Sequence, residues 1–151
     1  MKRSAFTLVE LIFVIVIIGV LSAVAVPKFK SLKQNAEVKA VIKATTDAAT
    51  TASAAAVNHM DLEEVNASDM NLSMLVDLKG KGWSYKDAAT GGKYDFNNTK
   101  NTATIASVDF NATARIVHYK ITCASFVDSV SQEKCKSDLN NSTGVDVNLT
   151  F

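Results

Sequence analysis

The feature that most constrains this chain is an apolar run near its N-terminus. The 21 residues from Phe6 to Val26 include one charged residue, Glu10, and the stretch from Leu11 to Val26 includes none. A helix of this length would span about 31 Å, close to the roughly 30 Å hydrocarbon core of a membrane. A helix buried inside a soluble protein is rarely apolar on every face over such a length. The run therefore predicts either a membrane span or an export signal.

A cleaved secretory signal is the alternative interpretation of this run. Such signals have a basic start, an apolar stretch of about 7–15 residues and a small-x-small cleavage site. Lys2 and Arg3 supply the basic start, and Ser22–Ala25 resembles a cleavage site. The apolar run is nevertheless longer than such signals need, and a carboxylate, Glu10, lies inside it.

Glu10 is the most informative residue of the run. A carboxylate at the centre of a membrane helix costs about 2.5–3.5 kcal/mol on insertion scales, so it marks a functional position with a partner. The apolar run contains no lysine or arginine, and Lys2 and Arg3 would stay in the cytoplasm. We therefore expect the partner of Glu10 to come from another molecule or from a charge created by processing.

The segment around Glu10 resembles the leader of prepilins. Residues 5–10 read AFTLVE, and sixteen uncharged residues and then Pro27 follow them. This signature is shared by type IV pilins, type II secretion pseudopilins and competence pseudopilins. In those families a membrane peptidase cuts before the Phe and methylates the new amine. The resemblance implies that Lys2 and Arg3 form the basic part of a leader, and that Pro27 is the family's helix-bending proline.

Cleavage between Ala5 and Phe6, with N-methylation of Phe6, is what the resemblance implies next. The new α-amine would have a pKa near 8 and be cationic at pH 7, and methylation keeps the charge. In a filament, Glu10 of one subunit would pair with the Phe6 amine of its neighbour and guide assembly. The family usually has Gly before the cut, whereas this chain has Ala5. If Ala5 blocks cleavage, the protein stays a membrane-anchored monomer.

The helix is predicted to continue beyond the apolar run. Residues 20–79 contain no glycine, and Pro27 is the one proline of the chain. From Lys28 to Val57 helix formers dominate, and apolar residues recur every three or four positions. We expect one helix over about residues 6–58, bent or loosened at Pro27, with two separate helices as the alternative. Its predicted packing face comprises Phe29, Leu32, Ala36, Ala40, Val41, Ala44, Ala48, Ala52 and Ala55.

The rest of the chain predicts a small antiparallel sheet. Turn signals at residues 79–82 and 91–92 precede a change of periodicity to two. The four predicted strands lie around Tyr94 and Phe96, over Thr102–Phe110, over Arg115–Thr122, with Val117, Tyr119 and Ile121 on one face, and over Val145–Phe151. The predicted class is α+β and pilin-like, with one long N-terminal helix packed on a sheet of about four strands.

The segment between helix and sheet has weaker signals. Asp61–Asn71 is predicted as a connecting loop, and Met70–Leu78 as a short helix with Asp69 as its cap. Trp83 and Tyr85 are predicted as aromatic residues of the core or its rim.

The two cysteines, Cys123 and Cys135, are separated by eleven residues. They do not predict a zinc site, because His59 and His118 show no ligand spacing. One disulfide is expected if the domain is exported, and two buried thiols are the alternative. Pilins commonly have a C-terminal disulfide loop that pins the last segment, and the resemblance implies this role here.

Asparagine motifs form a further pattern. Seven asparagines head an Asn-x-Ser/Thr triplet, and six of them have an acidic residue two positions earlier. With acids making up about a tenth of the chain, about one such match or fewer is expected by chance. The extended motif resembles the acceptor of bacterial N-linked oligosaccharyltransferases, which act in the periplasm; turn and strand-end chemistry is the alternative. The six candidate glycosylation sites are Asn66, Asn71, Asn97, Asn111, Asn140 and Asn148, and the seventh, Asn141, lacks the acid.

No motif indicates an enzyme, a cofactor or a nucleic-acid surface. The chain lacks a phosphate loop, a nucleophile elbow and Cys-His spacing, and its net charge is +1 with scattered cations. We predict no metal site, although type II secretion major pseudopilins bind calcium near the C-terminus. The residues that could form such a site are Asp138, Asn140 and Asp146 or, if the fold gathers them, Asp61, Asp69 and Asp77.

The combined prediction is a structural subunit of a pilus or of a type II secretion pseudopilus. It comprises a leader (1–5), a transmembrane and polymerisation segment (6–26), an extracytoplasmic helix half (27–58) and a head (59–151). Expected partners are copies of itself, other pilins or pseudopilins, the prepilin peptidase, an inner-membrane assembly platform and lipid. The expected location is the inner membrane with a periplasmic domain, or an extracellular filament. The alternatives are a minor pseudopilin of a DNA-uptake apparatus and an anchored ligand-binding domain that never polymerises.

Overall fold

The computed structural model describes residues 7–63, 65–98 and 103–151, apart from the side chain of Ser68. The chain divides into two compact units, Met1–Gln34 and Asn35–Phe151. The class is α+β, with a long N-terminal helix and an antiparallel sheet, as predicted. The helices are α1 (Leu8–Val57), α2 (Leu72–Leu75) and α3 (Ser129–Leu139).

The first unit contains the first part of α1. No described residue of this unit is buried. Pro27 lies inside the helix, and α1 continues through it to Val57. A proline removes one backbone hydrogen bond, and here that loss does not end the helix. The alternative of two separate helices broken at Pro27 is therefore wrong.

The second unit is built on a sheet in which every neighbouring pair of strands is antiparallel and the spatial order follows the chain order. Strands joined in this way need only local connections. The strands are β1 (Trp83–Lys86), β2 (Lys93–Asn97), β3 (Thr104–Asn111), β4 (Ile116–Thr122) and β5 (Gly144–Thr150).

The four predicted strands correspond to β2 to β5, and β1 is an additional edge strand. Residue Arg115 was predicted to begin a strand, but it adopts a left-handed φ of 55° in the turn before β4. β1 is only four residues long and pairs with β2 alone, placing Trp83 opposite Phe96. The predicted aromatic position of Trp83 and Tyr85 is confirmed, because both pack against the buried core.

The second part of α1 packs against the sheet through small residues. Spacings of three and four persist, but the buried face is rotated from the predicted one. Val41, Ala48 and Ala52 are buried as predicted, whereas Ala36 and Ala40 are exposed. The hydroxyl of buried Thr45 donates to the Val41 carbonyl at 2.7 Å, so the helix satisfies it locally. The buried residues of α1 are Val38, Val41, Thr45, Ala48, Ala49, Ala52 and Ala56.

The core has two clusters on the helix-facing side of the sheet. One combines the α1 alanines with residues such as Tyr94, Val108 and Phe110, and the other groups Val38 and Val41 with residues such as Phe96. The predicted shared face of β4 is confirmed, because Val117 and Ile121 are buried and Tyr119 packs against the first cluster.

The β4–β5 connection contains a disulfide and a helix that was not predicted. Cys123 and Cys135 are bonded, with their Cα atoms 5.5 Å apart, which joins the end of β4 to α3. Closing a loop of this size stabilises a domain by roughly 3 kcal/mol. α3 begins after Asp128, whose side chain accepts the Ser131 backbone N–H at 2.8 Å.

The predicted loop between helix and sheet is more ordered than expected. It holds a π-helical turn (Asn58–Leu62) and a 3₁₀ turn (Ala67–Asp69). The short helix α2 is confirmed in position but is only four residues long. Its cap is Asn71, which accepts the Met74 N–H at 3.2 Å, so the prediction of Asp69 as the cap is wrong.

Candidate functional site

The first part of α1 presents apolar side chains on all of its faces. From Leu8 to Leu32, sixteen large apolar side chains are between 43% and 73% exposed. Full burial of one such side chain is worth about 1.5–3 kcal/mol. A helix that leaves so many uncovered needs an apolar surrounding, and this one is long and apolar enough to cross a membrane.

The polar start of this helix is organised by two side chains. Oε2 of Glu10 accepts the backbone N–H of Thr7 at 3.0 Å and the Thr7 hydroxyl at 2.8 Å. The Thr7 hydroxyl oxygen in turn lies 3.3 Å from the Glu10 backbone nitrogen. This reciprocal pair is a capping box, which satisfies backbone donors that the first helical turn leaves unpaired.

The capping box gives Glu10 a partner that was not expected. Thr7 is a neutral partner within the chain, and the expected cationic partner from another molecule stays a prediction. The capping box could be predicted from the sequence, because a Ser or Thr followed three residues later by Glu, just before an apolar run, is its sequence signature. Oε1 of Glu10 makes no hydrogen bond to any residue in the described part of the chain.

The other predicted processing residues lie before the described part of the chain. These are Lys2, Arg3, Ala5 and Phe6, and the description begins at Thr7. Of the remaining predicted residues of the anchor, Pro27 lies within α1 and Glu10 in its first turn.

Comparison with known families addresses this same segment. Residues 1–26 match the family model of the prokaryotic N-terminal methylation motif. The chain carries the type IV pilin signal motif. This motif supports a pilin-like or pseudopilin-like subunit, and it implies self-assembly and processing by a prepilin peptidase. The motif and the apolar helix fit a membrane-anchored pilin.

The match ends at residue 26, before the head begins. No curated protein and no solved structure matches the chain. The motif favours a structural subunit over an enzyme.

The outer face of the sheet, on the side away from α1, carries a row of ion pairs. Asp95 on β2 is 3% exposed, and its Oδ2 lies 2.8 Å from Lys86 Nζ on β1. Lys93 Nζ lies 3.3 Å from Asp95 Oδ1 and 3.4 Å from Asp109 Oδ1 on β3. A buried carboxylate is tolerated only when it is paired in this way.

His118 extends this row across β4 to β5. Its Nδ1 lies 3.3 Å from Asp109 Oδ2, and its Nε2 lies 2.7 Å from Asp146 Oδ1. Lys120 Nζ lies 2.9 Å from Asp146 Oδ2. Hydrogen bonds from His118 and Lys120 lower the pKa of Asp146 below its ordinary value of 3.8.

The residues considered for calcium are mostly paired with cations of the chain. Asp61 Oδ1 lies 3.0 Å from Arg115, Asp77 pairs with Lys79, and Asp138 pairs with Lys134. Within residues 7–63, 65–98 and 103–151, no three His, Cys, Asp or Glu side chains form a group that could hold a metal ion.

The six candidate glycosylation sites are scattered over the second unit. Asn97 and Asn111 end β2 and β3, and Asn148 lies on β5. Asn66 precedes the 3₁₀ turn, Asn71 caps α2, and Asn140 ends α3.

Proposed function

We propose that this chain is a structural subunit of a type IV pilus or of a type II secretion pseudopilus. The proposal assigns residues 1–5 to the leader, 6–26 to the membrane and filament core, 27–58 to the outer helix half and 59–151 to the head. The observation that carries it is the exposed apolar start of α1 with a carboxylate in its first turn. Neighbouring subunits, like lipid, would cover this surface in an assembled filament.

Glu10 acts in assembly through its second oxygen. Thr7 occupies Oε2, so the carboxylate is held at the helix start while Oε1 stays available. Cleavage before Phe6 creates an α-amine, which is cationic at neutral pH. The amine of a neighbouring subunit can pair with Oε1 without displacing Thr7. Because the pair forms in an apolar surrounding, its attraction is little screened, and a misplaced subunit would leave the charge unpaired.

The head is assigned to the outer side of the inner membrane. A disulfide persists in the periplasm and is rare in the cytoplasm, so Cys123–Cys135 supports this orientation. Subunits held in the membrane before assembly would present the head to the periplasm, where an inner-membrane platform adds them to a filament.

Two single variants separate the charge of Glu10 from its capping role. Glu10→Gln keeps an oxygen that can accept from Thr7 but removes the charge, and Thr7→Val removes the side-chain cap but keeps the charge. Both retain the apolar run, so membrane insertion should stay near wild type. We expect filament yield to fall at least tenfold for Glu10→Gln and by less than about threefold for Thr7→Val.

The assay is recovery of sheared filaments from cells that produce the full chain, with the membrane fraction as a control for insertion. Filament yield unchanged in Glu10→Gln would contradict the charge-pairing mechanism. A loss in Thr7→Val as large as that in Glu10→Gln would show that the cap, and not the ion pair, is required.

A further inference from the structure

In three of the six acid-x-Asn-x-Ser/Thr motifs, the acid is a member of the row of ion pairs on the outer sheet face. Asp95, Asp109 and Asp146 each lie within 3.4 Å of a Lys or His on the adjoining strand. The sheet therefore accounts for these three acids, and their motifs need no other explanation.

The motif at the end of α3 lies apart from that row. Asp138 pairs with Lys134, one turn earlier in the helix, and the two side chains are 21% and 24% exposed; no strand depends on this pair. Asn140 is exposed, ends α3 with a left-handed φ of 49°, and makes no side-chain hydrogen bond to any described residue. Asn141 and Ser142, which complete the motif, are exposed as well.

The other asparagines are less available. The Oδ1 atoms of Asn71 and Asn111 accept backbone N–H groups at 3.2 Å and 2.9 Å, and that of Asn97 is buried. Asn148 lies within the paired strand β5. Asn66 is exposed, but Glu64 of its motif is outside the described part of the chain.

We propose that Asn140 is an acceptor for an N-linked oligosaccharide. The donor class is an oligosaccharide joined through its anomeric carbon to a polyprenyl diphosphate. The Asn140 amide nitrogen forms a bond to that carbon while the carbon–oxygen bond to the diphosphate breaks. The nitrogen loses one proton and the polyprenyl diphosphate leaves, so no oxidant or reductant is required.

The end of α3 can enter an enzyme's peptide cleft at small cost. Helix ends open with free energies far below that of global unfolding, because few contacts are lost. Only Ser131 and Cys135 of α3 are buried, and the disulfide at Cys135 keeps the rest of the helix attached while the last turn opens. Presenting Asn97 would instead require β2 to leave both β1 and β3.

The test uses the full chain, produced in a Gram-negative host with an acid-requiring bacterial oligosaccharyltransferase and its lipid-linked glycan. Ser142→Ala removes the triplet of Asn140 and leaves that of Asn141 intact, since Thr143 is unchanged. Asp138→Asn keeps the triplet and removes the acid of the motif together with its ion pair to Lys134. An inactive transferase is the control, and tryptic peptides are analysed by mass spectrometry.

We expect glycan on the peptide Ser137–Phe151, at least a tenfold loss of it in both variants, and none on Tyr94–Lys100, which contains Asn97. Bare protein, glycan retained in Ser142→Ala, or equal occupancy of the two wild-type peptides would each overturn the proposal. The inference requires export but not polymerisation, so a failure of Glu10→Gln to affect filaments would leave it intact.

Discussion

The two units of this chain differ in whether their large apolar side chains are exposed or buried. In residues 7–34 the large apolar side chains are exposed on every face, whereas in residues 35–151 such side chains form two buried clusters. One helix, α1, contributes to both units. The difference shows that the surface of the first unit suits an apolar environment, whereas the surface of the second unit suits water.

The composition of α1 changes where the surroundings change. Its first part is dominated by Val, Ile, Leu and Phe, while its second part places small residues on one face at spacings of three and four. Alanine at Ala48, Ala49, Ala52 and Ala56 leaves no long side chain between helix and sheet. The second part thus stabilises the head by packing.

The largest expected difference between the units comes from truncating a phenylalanine in each. Phe110 is 2% exposed and stacks on Phe151 with ring centroids 5.6 Å apart, whereas Phe13 is 66% exposed. Phe110→Ala should lower the free energy of unfolding of the head by about 3–5 kcal/mol, and Phe13→Ala by less than about 0.5 kcal/mol. Denaturant titration in detergent, followed by fluorescence of the one tryptophan, Trp83, measures both. Equal losses would mean that the first unit is part of the head's core.

Replacing one glycine in each unit by alanine should give the next largest difference in the stability of the head. Gly144, at the start of β5, has a φ of +127°, and a Cβ there would lie 1.9 Å from the Ile121 carbonyl oxygen. Gly19 has open space within 4 Å. Gly144→Ala should therefore lower the free energy of unfolding of the head by about 1–3 kcal/mol. Gly19→Ala should leave that free energy unchanged and favour the helix by up to about 1 kcal/mol. The same titration tests this, and a head unaffected by Gly144→Ala would contradict the β4–β5 register.

The smallest expected effect is a pH dependence confined to the head. The folded pKa of Asp146 is lowered by hydrogen bonds from His118 and Lys120, so its contribution to stability is present above pH 3.8. That contribution is lost as the pH falls through the lower, folded value. Asp146→Asn should therefore lower the unfolding midpoint at pH 6 and have a smaller effect at pH 2.5. An identical effect at both pH values would show that the charge of Asp146 does not contribute.

Much of the architecture was predictable because its signals are local. The apolar run needs no partner to be recognised, and alternation in β2 to β5 reflects one buried and one polar face. The strand β1 was not predicted because four residues are too few to show a periodicity of two. Its two aromatic residues are also as compatible with a core position outside a strand as with a strand.

The helix α3 and the rotated face of α1 show what periodicity misses. α3 buries only Ser131 and Cys135, so it has no apolar stripe, and a disulfide and a cap hold it in place. On α1, nearly uniform alanines made the predicted face ambiguous, and the sheet selected the row that includes Val38 and Thr45. The capping box of Thr7 and Glu10 could be predicted from the Thr-x-x-Glu spacing just before the apolar run.

The central claim is that the processed chain begins at Phe6, so that a new amine is created four residues before Glu10. Mass spectrometry of the N-terminal peptide of the protein purified from bacterial membranes tests this most directly. The account predicts a peptide that begins with N-methylated Phe6. A chain that still begins at Met1, or one that begins near Val26 after removal of a secretory signal, would contradict it.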